Sequence, residues 1–575
     1  MAQTLDNRME PRWASAYPPG LDWRAEVASR PLFTLLDDAA ARYPEHAFLD
    51  FLGKKTRYRE AAATVERLAQ GFRRHGVGKG IKVGLFLPNC PYFVLCFFAV
   101  LKAGGTVVAY NPLLAERELE RQIRDSESEI MVTLDLARLH DKLLSVRAKT
   151  RLRKLVVCRM TGILPFPKNL LFAITKRKEK ASIPSDDMHL SFETLLDSGD
   201  GAPLPEVDPG TDTAALLYTG GTTGIPKGVC LTHDNLYANA IQGARGLTTV
   251  EPGRERVLAV LPFFHAFGMT AVMNTGIAIG AELILLPRFD VSEVLRAIDR
   301  HKPTLFAAVP TIYVAITSAP NLQSYDLSSL KLCTSGGDAL PLQIKENFER
   351  IAGCKLLEGY GLTEASPVVT FNLPGAVDKP GSIGLPMPRT TVEILSTEDR
   401  RTILGPGKRG EICVSGPQVM AGYWKHPKES ADALVEGRLH TGDVGYMDEE
   451  GYVHLVDRLK DVIKTGGYTV YPSAIEAAIR PHPKVADVTV LGLPDAYWGQ
   501  VVTAVIVPLP AHDLEDGEIL AFLEDRLSPI ETPKRIMFRS SLPRSVIGKI
   551  LKADLLSDLA EGAGLQDRDA DQPEG

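Results

Sequence analysis

The chain has 575 residues, more than one hydrophobic core usually holds, so we expect two or more domains. Hydrophobic residues make up 45% and charged residues 24% of the sequence, which is ordinary for a globular enzyme. The formal net charge of -6 leaves no basic excess to neutralise phosphates, so it argues against a nucleic-acid partner.

Cysteine content and hydropathy indicate the cellular compartment of the protein. The seven cysteines are scattered and include no Cys-x-x-Cys pair, which argues against a disulfide framework or a zinc site and favours a reducing compartment. The N-terminal residues lack the apolar core of a secretory signal. No stretch reaches the roughly 18–20 apolar residues that span a bilayer. The sequence therefore predicts a cytoplasmic location.

Short apolar runs alternate with amphipathic stretches through most of the chain. Such runs are typical of strands that are buried on both faces, and Ser292–His301 between two of them has helical spacing. The apolar segment Tyr92–Leu101 stops at Lys102, so we expect a buried helix there. The alternation predicts an α/β fold. The strand candidates are Val83–Pro88, Leu155–Cys158, Val257–Leu261, Leu283–Leu286 and Leu305–Val309.

The pattern changes near Gly451, where charges and a glycine pair separate two apolar segments. Farther on, Val485–Leu491 and Val501–Val507 are strand candidates, and Glu518–Leu527 is a helix candidate. A compact α+β module of about a hundred residues fits this pattern. We therefore expect a large multi-sheet N-terminal domain, a small C-terminal domain and a disordered polar tail, over residues 1–456, 457–561 and 562–575.

Residues 151–180 combine many basic side chains with an apolar patch. A short basic amphipathic segment can lie on an anionic membrane surface, and a solvated helix face or loop is the alternative. The segment therefore predicts peripheral contact with the inner face of the membrane, with the alternative left open. The basic residues are Arg151, Arg153, Lys154, Arg159, Lys168, Lys176, Arg177, Lys178 and Lys180, and the patch is Leu170, Leu171, Phe172 and Ile174.

The strongest local motif is Tyr218-Thr-Gly-Gly-Thr-Thr-Gly-Ile-Pro-Lys-Gly228, with four glycines in eleven residues. Glycines let the backbone approach an anion closely, so that successive N–H groups converge on phosphate oxygens. Thr219, Thr222 and Thr223 add hydroxyl donors, and Lys227 adds a positive charge. The motif is not a Walker A loop, because G-x-x-x-x-G-K-[ST] is absent. It predicts a phosphate-binding loop.

A second motif, Glu358-Gly-Tyr-Gly-Leu-Thr-Glu364, offers groups for a nucleotide and a metal. Glu364 is a hard oxygen ligand of the kind that Mg²⁺ prefers, and Tyr360 presents a flat face for a purine. Taken alone, the motif is equally compatible with a surface turn that ends in an exposed glutamate.

Two shorter motifs follow. His440-Thr-Gly-Asp443 ends in a carboxylate that can accept hydrogen bonds from ribose hydroxyls, and Arg458 follows fifteen residues later. Leu542-Pro-Arg-Ser-Val-Ile-Gly-Lys549 places a lysine after a glycine near the end of the chain. An isolated lysine is usually a solvated charge. The last motif therefore indicates a functional lysine only in combination with the other three motifs.

Together these motifs resemble the acyl-activating, adenylate-forming superfamily of acyl-CoA synthetases, firefly luciferases and peptide-synthetase adenylation domains. The resemblance extends from about residue 30 to 556, with the principal motifs in order, including DRLKDVIKTGGYTVYP. Among subgroups the chain is most similar to bacterial long-chain fatty-acid CoA ligases. This similarity rests on Gly220, on SGGDALP at 335–341, and on EGYGLTEASP followed by GSIGLPMP.

The resemblance implies an AMP-forming acid–thiol ligase that activates a fatty acid with ATP and Mg²⁺ and transfers the acyl group to coenzyme A. Long-chain acids are the expected substrates, and the implied partners are these small molecules. A CoA ligase for a medium-chain, aromatic or dicarboxylic acid remains an alternative, as does an adenylating enzyme that loads a carrier protein. The sequence does not determine the oligomeric state, and a homodimer is left open.

The resemblance also implies roles for individual residues of the nucleotide site. The ATP phosphates would contact Thr219, Gly220, Gly221, Thr222, Thr223, Gly224 and Lys227. The adenine would lie beside Gly336, Gly337, Asp338, Glu358, Gly359, Tyr360, Gly361 and Thr363. Asp443 and Arg458 would bind the ribose, and Glu364 would bind Mg²⁺.

The remaining implied roles concern the reacting carboxylate and coenzyme A. Lys549 would be the adenylation lysine, and His265 would lie at the mouth of the acyl tunnel, although a plain hydrogen-bonded histidine is the alternative. The C-terminal domain would be mobile and would turn about Lys460 between two half-reactions. That turn would bring in the strand from Lys464 and the side-chain-free pair Gly466 and Gly467, for which a structural glycine bulge is the alternative.

Overall fold

The computed structural model describes residues 11–561 apart from 198, 200, 220–225, 467, 496, 511–512 and 545–549. The chain divides into two compact units. Unit 1 takes in the chain up to Lys408 together with Ile412–Thr441 and Tyr446–His454. Unit 2 takes in Arg409–Glu411, Gly442–Gly445 and the chain from Leu455. The predicted tail, 562–575, lies outside the described residues.

Helices and strands alternate along the chain, as the α/β prediction requires. The α-helices are α1 Thr34–Arg42, α2 Tyr58–Arg74, α3 Pro91–Lys102, α4 Glu116–Ser126, α5 Ala137–Arg147, α6 Met160–Ile163, α7 Lys168–Thr175, α8 Phe192–Asp197, α9 His233–Gly246, α10 Thr275–Ala278, α11 Val291–His301, α12 Pro310–Thr317, α13 Leu342–Ala352, α14 Pro427–Ala433, α15 Pro472–Ile479, α16 Asp516–Leu523 and α17 Lys552–Glu561. A π-helix, Phe267–Asn274, precedes α10, and 3₁₀ turns span Arg12–Ala16, Arg177–Glu179, Leu322–Ser324 and Thr363–Ala365.

The strands range from two-residue edge pairs to long ladders. They are β1 Ala47–Phe51, β2 Lys54–Arg57, β3 Lys82–Leu85, β4 Thr106–Ala109, β5 Ile130–Leu134, β6 Lys154–Cys158, β7 His189–Ser191, β8 Thr213–Thr219, β9 Lys227–Thr232, β10 Arg256–Ala259, β11 Glu282–Leu285, β12 Leu305–Ala308, β13 Leu332–Ser335, β14 Lys355–Gly361, β15 Val368–Phe371, β16 Leu385–Pro386, β17 Thr391–Leu395, β18 Gly410–Ser415, β19 Gly422–Tyr423, β20 Leu434–Val435, β21 Arg438–Met447, β22 Val453–Arg458, β23 Ile463–Thr465, β24 Tyr468–Val470, β25 Val485–Asp495, β26 Gly499–Pro508 and β27 Arg535–Phe538.

Two large, mainly parallel sheets form the body of unit 1. Their strand orders are β19-β9-β8-β4-β3-β5-β6-β7 and β16-β15-β14-β13-β12-β10-β11-β1-β2. A further sheet contains β17-β18-β21-β20 in that order. The five apolar runs predicted as strands contain or overlap β3, β6, β10, β11 and β12, which confirms these strands, but β3 ends at Leu85 and β10 at Ala259, before the predicted ends. Their inner residues are buried, because helices cover parallel sheets on both faces.

The apolar segment Tyr92–Leu101 forms α3 and is buried throughout, which confirms the prediction of a core helix. Lys102 ends the helix, and its ammonium group forms ion pairs with Asp37 at 2.8 Å and Glu66 at 2.9 Å. These carboxylates offset the partial burial of the charge at the helix end. Over the part of the chain that the structure describes, we find no helix with the length and apolarity needed to cross a bilayer.

Unit 2 contains a β23–β24 hairpin and a three-stranded sheet in the order β25-β26-β27. Apolar residues of these strands, such as Val488 and Ile506, pack with Ile475 of α15 and Ile519 of α16 in one core. The strand predictions Val485–Leu491 and Val501–Val507 are confirmed by β25 and β26. Helix α16 begins two residues before the predicted start and ends at Leu523, four residues before the predicted end. Pro529 restricts the backbone of Ser528 directly before it, so it limits how far a helix can extend but does not fix the end at Leu523.

Candidate active site

The predicted phosphate loop joins two antiparallel strands of the first sheet. Strand β8 ends at Thr219 and β9 begins at Lys227, and these two residues are paired across the hairpin. Because β8 runs parallel to β4, the loop leaves the sheet at the carboxyl end of the parallel strands, where open α/β sheets bind ligands. Outside the described residues lie Gly220, Gly221, Thr222, Thr223 and Gly224.

The stem of this loop is fixed to helix α4. The hydroxyl group of Tyr218 donates to the Asp125 carboxylate at 2.5 Å. The backbone oxygen of Asp125 in turn accepts hydrogen bonds from the Trp424 indole at 3.0 Å and the Lys425 ammonium group at 2.8 Å. One acidic residue thus ties the start of the loop to the segment that follows β19.

The predicted adenine site comes from two neighbouring parallel strands of the second sheet. Ser335 at the end of β13 is paired with Glu358 in β14, so the chain after Ser335 leaves the sheet beside the second motif. A Cβ atom at Gly336 would lie 3.1 Å from the carbonyl oxygen of Gly359, so this close approach favours glycine. The Leu340 N–H donates to the Glu358 carboxylate at 3.0 Å. The structure therefore brings the two predicted segments together.

Exposure differs among the other adenine candidates. Asp338 is exposed, and Gly337 has a φ of +86°, which favours glycine. Tyr360 and Thr363 are buried, and a Cβ atom at Gly361 would lie 2.2 Å from the carbonyl oxygen of Pro367. Of these candidates, Gly337 and Asp338 are exposed to solvent.

The carboxyl group of Glu358 has a shifted pKa in this region. Burial raises the pKa of its carboxyl group to about 7, and the nearby Asp338 carboxylate acts in the same direction. The hydrogen bond from Leu340 and the charge of Lys345 oppose this increase. Near neutral pH, Glu358 therefore exists in both the protonated and the ionised form.

Glu364, the predicted Mg²⁺ ligand, lies in the 3₁₀ turn Thr363–Ala365. Its Oε1 atom accepts a hydrogen bond from the Tyr423 hydroxyl at 2.9 Å, and its backbone oxygen accepts one from the Met420 N–H at 2.8 Å. Within the described residues, Oε2 has no hydrogen-bond or ion-pair partner. A carboxylate with one oxygen fixed and one available suits a hard cation such as Mg²⁺.

Tyr423 itself was missed by the sequence analysis. It lies in β19, where its backbone is paired with Val229 of β9, and its ring centre is 5.3 Å from the Lys227 ammonium nitrogen. The only local signal was the tripeptide Gly422-Tyr423-Trp424 in a polar connection. Nothing in that pattern indicates contact with Glu364, which is 59 residues away in sequence.

His265, predicted at the mouth of the acyl tunnel, precedes the π-helix. Its Nδ1 accepts a hydrogen bond from the Phe267 N–H at 3.3 Å, and its carbonyl oxygen accepts one from Met269 at 2.9 Å. The imidazole is half-buried. The structure therefore shows a hydrogen-bonded histidine at a helix start, and a π-helix is often found at functional sites.

Unit 2 brings the two ribose candidates into contact. The Arg458 guanidinium forms an ion pair with the Asp443 carboxylate at 2.7 Å, and the Asp443 side chain is 2% exposed. Gly442 has a φ of +70°, and its carbonyl oxygen accepts a hydrogen bond from the Leu459 N–H at 2.8 Å. The turn and the ion pair hold the carboxylate in one orientation.

The hinge and coenzyme A candidates lie around the β23–β24 hairpin. Lys460 is exposed in the turn before β23, and the Lys464 ammonium group donates to the Thr469 hydroxyl at 2.7 Å. Gly466 has a φ of +55°, and a Cβ atom there would lie 2.8 Å from the Trp498 ring. The turn and this ring contact account for glycine at position 466. Gly467 and the adenylation candidate Lys549 lie outside the described residues.

Comparison with known proteins identifies the family. Residues 36–424 match the AMP-binding enzyme family, and residues 474–549 match the AMP-binding enzyme C-terminal domain. These matches include most of the candidate residues described above. The chain belongs to the AMP-binding enzyme family.

Individual relatives extend over nearly the whole chain. A long-chain-fatty-acid–CoA ligase of Bacillus subtilis (strain 168) is 43% identical over 96% of this chain and 98% of its own length. A long-chain-fatty-acid–CoA ligase of Yersinia pestis is 36% identical over 95% of this chain and 98% of its own length. The structure of O-succinylbenzoate coenzyme A synthetase from Bacillus subtilis, in complex with ATP and magnesium ion, is 27% identical. It covers 92% of this chain and 99% of its own chain, with a TM-score of 0.74.

Proposed function

We propose that the protein is a long-chain fatty-acid CoA ligase that converts a fatty acid, ATP and coenzyme A to acyl-CoA, AMP and pyrophosphate. The observation that carries this proposal is the similarity to the Bacillus subtilis long-chain-fatty-acid–CoA ligase, 43% identical over 98% of that protein. This similarity to one relative extends over both unit 1 and unit 2. It therefore favours an enzyme that performs adenylation and thioester formation in one polypeptide.

In the first half-reaction, a carboxylate oxygen of the fatty acid attacks the α-phosphorus of ATP and pyrophosphate leaves. The two reactants are both anions, so the protein has to supply positive charge and fixed geometry. We assign Lys227 and the loop from Thr219 to the phosphates, and Lys549 to the carboxylate and the α-phosphate. Mg²⁺, held by Glu364, would neutralise charge on the leaving pyrophosphate.

In the second half-reaction, the coenzyme A thiolate attacks the acyl carbon and AMP leaves. We propose that residues 457–561 act as a mobile domain that turns about Lys460 after adenylation, so that the Lys549 segment makes way for the segment from Lys464 to Gly467. The absence of side chains in a glycine pair supports the approach of a pantetheine arm. The fixed turn at Gly466 makes Gly467 the more informative position to test.

The proposal is tested by measuring thioester and AMP formation with ATP, Mg²⁺ and coenzyme A across acids from acetate to oleate, with ferulate, benzoate and adipate included. We expect equal amounts of AMP and acyl-CoA, and the highest kcat/KM with long-chain acids. A maximum with an aromatic or dicarboxylic acid would contradict the substrate class. Release of AMP without thioester would instead favour a carrier protein as the acyl acceptor.

We further propose that the protein contacts the membrane through residues 151–180, where its fatty-acid substrates dissolve. Helix α7 has no buried residue, and Leu170, Leu171 and Ile174 are each more than half exposed. At 100° per residue these three side chains fall within an arc of about 100°. The exposed basic residues Lys176, Arg177, Lys178 and Lys180 follow directly, and they complement an anionic bilayer.

Sedimentation with vesicles tests this membrane contact. We expect binding to phosphatidylglycerol vesicles that weakens on raising the salt concentration, and little binding to phosphatidylcholine. Replacing Leu170 and Ile174 together by serine should weaken binding about tenfold or more. Leu113→Ser, at a residue that is 68% exposed elsewhere, should bind like the wild type. Equal binding by all variants, or none by the wild type, would contradict the proposal.

A further inference from the structure

Strand β19 lies between the two candidate groups for the triphosphate. On one side, the Trp424 N–H donates to the carbonyl oxygen of Gly228 at 2.7 Å, just after Lys227. On the other side, the Met420 N–H donates to the backbone oxygen of Glu364 at 2.8 Å. The segment Met420–Trp424, which contains β19, is thus bonded through its backbone to the end of the phosphate loop and to the turn that carries Glu364.

The side chain in the middle of this segment contacts both groups. The Tyr423 hydroxyl donates to Glu364 Oε1 at 2.9 Å, and the Lys227 ammonium nitrogen is 5.3 Å from the centre of the Tyr423 ring. The latter distance is within the range of a cation–π interaction. An ionised carboxylate has no hydrogen to donate, so the phenol is the donor of this hydrogen bond and Glu364 is the acceptor.

We propose that Tyr423 is a positioning residue for metal–ATP binding, with its hydroxyl orienting the Glu364 carboxylate and its ring restraining the Lys227 ammonium group. The inference rests on the proposed function, because that function assigns Glu364 and Lys227 to Mg²⁺ and the phosphates. With Oε1 held by the phenol, Oε2 is the oxygen presented to the cation. Loss of such an outer contact to a metal ligand typically lowers metal affinity about 10–100-fold.

The two contacts of Tyr423 can be removed separately. Tyr423→Phe deletes the hydrogen bond to Glu364 and keeps the ring beside Lys227. Tyr423→Leu deletes both contacts. Tyr446→Phe is the matched control, because Tyr446 belongs to the same unit and stacks on His454 at a ring distance of 4.6 Å. It contacts neither candidate group in the described structure.

Mn²⁺ replaces Mg²⁺ as the probe, because carboxylate and water ligands suit both ions. Electron paramagnetic resonance measures Mn²⁺ binding with saturating ATP and no fatty acid, so that no turnover occurs. We expect Tyr423→Phe to weaken Mn²⁺ binding about tenfold or more. ATP binding measured without metal, in the presence of EDTA, should be unchanged in this variant. Tyr423→Leu should weaken both, and Tyr446→Phe should change neither.

A double-mutant cycle separates positioning from a general structural role. If the hydroxyl acts through Glu364, the effect of Tyr423→Phe on Mn²⁺ binding disappears in a Glu364→Gln background. Unchanged Mn²⁺ binding by Tyr423→Phe, or an equal loss in both backgrounds, would overturn the inference. Failure of the wild type to form any acyl-CoA would overturn the proposed function instead, since the metal-binding measurement uses no acyl substrate.

Discussion

Two glutamates of the second motif are six residues apart and lie in different environments. Glu358 lies beside the chain that follows β13, where desolvation raises its pKa to about 7. Glu364 is hydrogen-bonded by the Tyr423 hydroxyl through one carboxylate oxygen. The first environment disfavours negative charge, whereas the second leaves a carboxylate oxygen available to a cation. The same residue type thus has two chemical characters within one short motif.

The raised pKa of Glu358 makes the stability of unit 1 depend on pH. The unfolded chain loses the Glu358 proton near its ordinary pKa of 4.5, whereas the folded protein keeps that proton until about pH 7. The native state therefore loses stability as the pH rises from about 4.5 to about 7, by at most about 3 kcal/mol. We expect Glu358→Gln to raise Tm relative to the wild type, more at pH 8 than at pH 5.

Scanning calorimetry of both proteins at the two pH values measures this difference. Asp326→Asn is a suitable control, because the pKa of that exposed carboxyl is lowered by Lys302 and shifts in the opposite direction. A Tm difference between Glu358→Gln and the wild type that does not grow with pH would contradict the argument.

Lys549 is expected to act in only one half-reaction. Its charge would stabilise the approach of carboxylate and α-phosphate, and loss of one such preorganised group typically costs about 10²–10³ in rate. Lys549→Ala should therefore abolish acyl-adenylate formation while still converting supplied acyl-adenylate to the thioester. Lys484→Ala, which removes an ion pair with Glu518 in unit 2, is the matched lysine control. Equal loss of both half-reactions would contradict the assignment.

The sequence indicated candidate residues that belong to one local motif. It did not indicate residues that are far apart in sequence and come into contact only in the folded chain. The glycines, Lys227 and Glu364 were recognisable because each belongs to a string of distinctive neighbours. Tyr423 was not, because its contacts with Glu364 and Lys227 depend on the pairing of β19 with β9. The contact between Gly466 and Trp498 was hidden for the same reason, since it joins the β23–β24 hairpin to the turn before β26.

At the scale of elements, the phosphate and adenine candidates of unit 1 lie in strands or in the segments that follow them. The phosphate loop leaves β8, and the adenine candidates leave β13 or lie in β14. The apolar runs predicted these strands because both faces are buried. They did not predict the sheet order, in which β1 lies beside β11 although the paired residues Leu49 and Leu283 are far apart in sequence. Such pairing is set by tertiary packing and leaves no local periodicity.

The hairpin of unit 2 offers a test of the coenzyme A path. We expect Gly467→Leu to leave pyrophosphate release intact and to stop thioester formation, because a leucine side chain would obstruct the pantetheine arm. Gly517→Leu is the control, since a Cβ atom at Gly517 in α16 meets nothing within 4 Å. Separate assays of pyrophosphate and acyl-CoA provide the measurement. An unchanged thioester yield for Gly467→Leu would contradict the proposed path.

At the scale of the whole molecule, the chain combines a large unit with two mainly parallel sheets and a smaller unit with its own core. Unit 1 carries the phosphate, adenine and metal candidates, and unit 2 carries the ribose and coenzyme A candidates. Composition predicted more than one domain, because a chain of 575 residues exceeds a single core. It did not predict that Arg409–Glu411 and Gly442–Gly445 belong to the second unit, because that assignment depends on long-range contacts.

The central claim is that the fatty-acid carboxylate attacks the α-phosphorus of ATP, and the fate of the carboxylate oxygen tests it most directly. The protein is incubated with oleate labelled with heavy oxygen at both carboxylate positions, together with ATP, Mg²⁺ and coenzyme A, and the products are analysed by mass spectrometry. We predict one heavy oxygen in AMP and one in oleoyl-CoA. AMP without the label, or label in pyrophosphate, would contradict an acyl-adenylate intermediate.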